Sequence, residues 1–90
     1  MQLPGGLRGR YLEDPFFRRI VEKPTEYTHF REVDGLIYKQ DDTGVRLCVP
    51  DILMGSRRVR EILLRQAHSV LAHLGTKKTL AYLRDEVWWP

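Results

Sequence analysis

Glu32-Val33-Asp34-Gly35-Leu36-Ile37-Tyr38 is the stretch that decides the fold. An Asp-Gly pair between apolar residues is a strong hairpin signal, because a type I′ turn needs positive φ at both central positions. It predicts that the segment before Val33 pairs with Leu36–Lys39. Asp41-Asp42-Thr43-Gly44 makes a second turn, and its two carboxylates read as turn formers. After it, Val45, Leu47 and Val49 alternate with Arg46 and Cys48, a period of two with the apolar set as the buried face. Residues 27–49 therefore read as a three-stranded antiparallel meander, ended by Pro50. Cys48 reads as a small residue on the other face and not as a metal ligand, since no second cysteine exists to share a site.

Towards the N-terminus, Pro4, Gly5, Gly6 and Gly9 make residues 1–12 loop-like. A helix follows, with Asp14 as N-cap, Pro15 in the first helical position and Pro24 stopping it near Val21 or Glu22. Phe16 pairs with Ile20 and Phe17 with Val21, so one side of this helix docks. Towards the C-terminus, Val59, Ile62, Leu63, Ala67 and Val70 lie on one stripe of a helix from about Arg57 to Val70. Glu61 precedes Arg65 by four, the favourable order for an exposed ion pair. A second helix runs from about Lys77 to Glu86, with Thr76 as N-cap and Leu80, Leu83 and Val87 inward. The Leu74-Gly75 turn between them gives a helix-turn-helix outline. The expected class is α+β.

Ninety residues allow one small domain, or two sub-domains too small to be secure alone, and 42% hydrophobic with 30% charged residues is ordinary for a globular chain. No apolar run approaches the roughly 20 residues that span a bilayer. The start lacks the basic-then-apolar pattern of a secretory signal, and a single cysteine fits a reducing, intracellular compartment. From Ser56 to Arg84 seven Lys or Arg face only Glu61, a local charge of +6 that leaves −3 elsewhere. Charge alone reads as a solvated helix face; it also suits a polyanion.

Two histidines are the candidate metal ligands, His68 and His73. A five-residue step turns a helix by about 500°, which leaves them about 140° apart. Both can bind one metal only if the helix ends near Val70 or Leu71. His29 reads as a structural residue in a strand. No His-Glu-x-x-His, Gly-rich phosphate loop or Gly-x-Ser-x-Gly is present, so no catalytic site is expected. Arg57, Arg58, Lys77 and Lys78 lie at the expected helix starts, where backbone amides add partial positive charge. Tyr82 suits either a nucleic-acid stack or the core, with the core favoured. Trp88-Trp89-Pro90 is a large apolar end with no following segment to cover it.

The span from about Val33 to Pro90 resembles the zinc-binding N-terminal region of gypsy-class long-terminal-repeat retrotransposon integrases. The carrying residues are Asp34-Gly35-Leu36-Ile37-Tyr38, Leu47-Cys48-Val49-Pro50, Ala67-His68 through His73-Leu74-Gly75-Thr76-Lys77-Lys78-Thr79-Leu80, and Trp88-Trp89-Pro90. Leu7-Arg8-Gly9-Arg10-Tyr11 and Asp14-Pro15-Phe16-Phe17 have counterparts in fungal elements. The resemblance implies a flexible N-terminus (1–12), a helix-plus-meander extension (13–50) and a truncated zinc-binding helix-turn-helix (51–90). It makes His68 and His73 two of four zinc ligands. The Cys-x2-Cys that completes such sites is not in the chain, so zinc is expected to bind weakly or not at all. The implied role is non-catalytic: contact with DNA, weak and electrostatic through Arg57, Arg58, Lys77 and Lys78, and multimerisation with itself or an integrase core, in the nucleus. The rival readings are a protein-interaction module using the Trp88-Trp89 end and the Phe16/Phe17 helix, and a relic fragment.

Overall fold

A computed structural model of the chain describes the backbone of residues 3–70 and 75–90, and the side chains of 5–69 and 81–90. It is an α+β fold. Helix α1 (Leu3–Leu7) and a short 3-10 turn lead into α2 (Pro15–Glu22). Strands β1 (Phe30–Val33), β2 (Leu36–Asp41) and β3 (Gly44–Cys48) form the meander. A two-stranded ribbon, β4 (Leu53–Met54) and β5 (Arg57–Arg58), precedes α3 (Val59–Val70). Helix α4 (Gly75–Glu86) runs into β6 (Val87–Trp88).

The expected hairpin is present. Asp34 and Gly35 have φ of 53° and 79°, both positive as a type I′ turn demands, and Val33 pairs with Leu36. Gly35 also accepts a backbone bond from Gly9, while Arg8 Nε donates to the Asp34 carbonyl. The segment read as loop-like is therefore docked: Leu7 and Tyr11 are buried, and the Tyr11 hydroxyl donates to the Cys48 carbonyl at 2.6 Å. Glycine permits many conformations locally, but burial of Leu7 and Tyr11 selects one.

The sheet has four strands, in the order β1-β2-β3-β6, with β6 added parallel to β3. The alternation holds only in part: Val49 is buried and Leu47 half-buried, as expected, but the rest of the pattern fails. Val45 is 60% exposed and Cys48 is fully buried. Paired residues share a face, so Phe30, Ile37, Lys39, Arg46, Cys48 and Trp88 lie on one side, with Arg31, Val33, Tyr38, Gln40 and Val45 on the other. The first side is covered by α2, through Phe16 and Phe17, which the bare alternation does not reveal. Lys39 and Arg46 are tolerated there because Asp41 binds both, at 2.6 and 2.8 Å. Asp41 is thus more than a turn former, although it also accepts from the Thr43 amide.

Helix α2 behaves as its sequence predicts. Asp14 accepts from the Phe16 and Phe17 amides, Pro15 opens the helix, and Phe17 and Ile20 are buried. Complete burial of a side chain the size of Phe17 stabilises by about 1.5–3 kcal/mol. Phe16 and Phe17 meet Trp88 with ring centroids 5.8 and 6.1 Å apart, and Phe30 meets it at 5.4 Å. The C-terminal indoles, expected to lack cover, are both half-buried, Trp88 against the N-terminal half and Trp89 beneath Arg60 of α3. The Val49 amide donates to the Trp88 carbonyl at 2.9 Å, which pins β6 in place.

Candidate nucleic-acid and metal site

Helix α3 forms because its apolar stripe has something to pack on. Val59, Leu63 and Ala67 are buried and Ile62 is half-buried, as expected; Val70's side chain lies outside the described residues. The helix starts two residues later than predicted. Arg57 and Arg58 form β5, paired with Met54 and Leu53 through a turn in which Gly55 has φ of 68°. The two arginines thus sit on a ribbon ahead of the helix and not in its first turn. Arg10 donates to the Leu53 carbonyl at 2.6 Å and braces this ribbon.

Both ribbon arginines are exposed, and each has an acidic neighbour. Arg57 is 3.8 Å from Glu61, and Arg58 is 3.7 Å from Asp51. Pairs this long and this exposed contribute little and exchange readily for other anions. Glu61 also meets Arg65 at 3.6 Å, the expected i, i+4 pair. Lys77 and Lys78 fall within the first turn of α4, which begins at Gly75, so Thr76 is inside the helix and not its cap. The side chains of Thr76, Lys77, Lys78 and Leu80 lie outside the described residues. In the second half of α4, Leu83 is buried and Val87 half-buried, as expected. Tyr82 is 51% exposed, which overturns its core assignment: α4 presents Leu83, and not its neighbour, to the core.

His68 stands exposed near the end of α3, one residue beyond the buried Ala67. His73 and Leu74 lie outside the described residues, and Gly75, expected in the turn, is the first residue of α4. His29 is exposed and belongs to the turn before β1, where its carbonyl accepts from Gln40; it is not in a strand. Among the described residues, no three His, Cys, Asp or Glu converge to hold a metal ion. Cys48 does not supply the missing thiolate. Burial pushes its thiol up to about 12, which keeps it protonated, whereas zinc needs the thiolate. The described residues therefore do not fit a closed, four-ligand zinc site.

One buried polar cluster was not read from the sequence beyond its capping role. Asp14 is 3% exposed. Besides capping α2, its second oxygen accepts from the Asp51 amide at 2.6 Å and from Arg60 at 3.3 Å. Arg60 in turn donates to the Val49 carbonyl at 3.0 Å and lies over the Trp89 ring at 5.4 Å. This cluster bolts the start of α2, the β3–β4 connection, α3 and the C-terminal indole together. Nothing in the local sequence around Arg60 distinguishes it from the exposed arginines nearby.

Residues 56–90 match the family model of the integrase zinc binding domain. The match begins at the tip of the β4–β5 ribbon and takes in His68, His73, α4 and the Trp-Trp-Pro end. This part of the chain is similar to that domain, a family whose type supports zinc binding in general. Residues 1–55 lie outside the match. No curated protein and no solved structure matches the chain.

Proposed function

We propose that the chain is a non-catalytic, DNA-contacting and multimer-forming module of the kind found at the front of gypsy-class, fungal-type retrotransposon integrases, acting in DNA integration in the nucleus. The observation that carries this reading is the family match over residues 56–90, which brings the histidine pair and both lysines under one domain type. The local charge of +6 between Ser56 and Arg84 supports it. So does the exposure of Arg57 and Arg58, whose long ion pairs a phosphate can replace. Lys77 and Lys78 join the amino end of α4, where unpaired amides favour phosphate. In this reading zinc is held weakly by His68 and His73, and the N-terminal half takes over part of the work of positioning α3 and α4.

The experiment is a duplex-DNA titration of the full chain at two salt concentrations. Three or four basic side chains reaching phosphates give a log–log slope of about −3. Changing Lys77 and Lys78 together to Glu abolishes binding. The control changes Arg18 and Arg19, both exposed on α2, to Glu, for the same change in net charge. Equal loss from the two variants shows bulk charge alone and sinks the assigned surface.

A further inference from the structure

The structure assigns a second binding surface: we propose that the groove between α3, α4 and the β3–β6 end of the sheet takes an acidic side chain flanked by large apolar ones, on a segment of a partner protein. This does not rest on the DNA reading. The groove encloses about 370 Å³ and is lined chiefly by Leu64, Leu83, Trp88 and Trp89, with Arg46 and Arg84. Its walls combine apolar side chains with the polar surface of the two arginines; among the described residues its charges are all positive and no acidic residue lines it. Asp85 and Glu86 follow Arg84 in the chain but are not among the lining residues.

The charge balance beneath the groove argues for an anion. Lys39 and Arg46 are 20% and 18% exposed, and both lean on the single carboxylate of Asp41. Arg46 spends its remaining donors poorly. Nη1 reaches the Arg84 carbonyl at 3.3 Å, and the buried Nε has no partner among the described residues. Two mostly buried cations sharing one carboxylate leave a positive surplus, which is costly until an opposite charge approaches. Arg84, exposed on the rim and without an acidic partner among the described residues, takes that carboxylate directly, while Arg46 supplies field from below.

The apolar walls decide between kinds of ligand. Leu64 is 37% exposed although it sits at the groove's edge, and both indoles are only half-buried. Bare phosphates offer nothing to cover these surfaces, and a small molecule in a dedicated site buries 70–90% of its surface, which an open groove does not provide. A peptide segment covers the leucines and indoles with its own apolar side chains and delivers one carboxylate to Arg84, the usual anchor-and-rim pattern.

Both tryptophans of the chain line this groove, so under native conditions intrinsic fluorescence responds to its occupancy. The probe is the capped peptide Ac-Gly-Leu-Asp-Leu-Phe-Gly-NH2, titrated into the full chain, beside its Asp-to-Asn counterpart and a short DNA duplex. The expected result is a saturable change with half-saturation on the order of 0.1–1 mM. The Asn peptide, and the variants Arg84→Gln and Leu64→Glu, each bind at least about fivefold more weakly, the size of one rim ion pair or one lost apolar contact. Arg84 is exposed, so Arg84→Gln decides the matter if Leu64→Glu fails to fold. No saturable change, or equal affinity for the Asn peptide, overturns the proposal. A response to the duplex alone reassigns the groove to nucleic acid and overturns it too. Concentration-dependent fluorescence with a dimer in sedimentation, before peptide is added, makes a second copy the occupant and overturns the proposal as well.

Discussion

Replacing Asp14 by Ala is the sharpest test of how this fold is held together. The carboxylate caps α2 through the Phe16 and Phe17 amides at 2.8 and 3.3 Å, and it receives the Asp51 amide and Arg60. Losing an N-cap costs about 1 kcal/mol. Removing one partner of a buried ion pair costs about 3–5 kcal/mol; Arg60 keeps 20% of its surface in water, so about 2 kcal/mol is the fairer share here. The expected loss is about 3 kcal/mol, against a total stability of about 5–13 kcal/mol for a chain of this length. At about 4–8 °C per kcal/mol this lowers Tm by roughly 12–24 °C. Asp14→Asn should lose about 2 kcal/mol: its amide oxygen still caps, but its NH2 group then faces two donors. Urea titration, followed by both far-UV circular dichroism and indole fluorescence, reads both variants. A double-mutant cycle with Arg60→Leu should show coupling above about 1 kcal/mol. An Asp14→Ala variant within about 0.5 kcal/mol of the parent would refute the claim that this cluster joins the two halves.

Calorimetric titration of the metal-free chain with zinc should give weak binding, and zinc should raise Tm little, since two imidazoles leave two positions to water; nanomolar affinity or a large Tm rise in the monomer would overturn this. Lys39 first, then Thr43, hold the Asp41 carboxyl well below the usual carboxylate range. A depressed folded-state pKa gives stability that is present above the ordinary carboxylate value and is lost as pH falls towards the folded one. The parent should therefore be more stable than Asp41→Asn from pH 7 to 5, with the gap closing below about pH 4; a gap independent of pH argues against the ion pairs. Cys48, with its thiol raised to about 12 from 9.0, should carry about a thousandfold less thiolate at pH 8 than an ordinary cysteine. Its reaction with a disulfide reagent should then be slow when folded and fast in denaturant; fast reaction of the native chain would show that the sheet opens locally.

The elements legible in the sequence are those whose causes lie within a few residues. Asp34-Gly35 specifies its turn because φ must be positive twice in succession, and the hairpin register follows. Asp14-Pro15 starts α2 because a carboxylate and a ring with no N–H suit a helix amino end. The Val59, Leu63 and Ala67 stripe locates α3 by its period, and the His68 position with it. The Arg57–Arg58 ribbon was missed because a helix start and a short strand carry the same local signs there.

Tertiary structure decided which face of the meander is inside. Val45 and Leu47 look like the buried set until α2 lays Phe16 and Phe17 against the other side, where Cys48 and Trp88 sit. It also decided that Leu7 and Tyr11 dock, that Trp88 closes on the N-terminal half, and that Arg60, alone among its neighbours, is drawn to Asp14 across a separation of 46 residues. No local pattern encodes these choices. Turn chemistry, capping and period act through the backbone of adjacent residues, whereas burial depends on which distant surface arrives to exclude water, and that is settled only when the whole chain has packed.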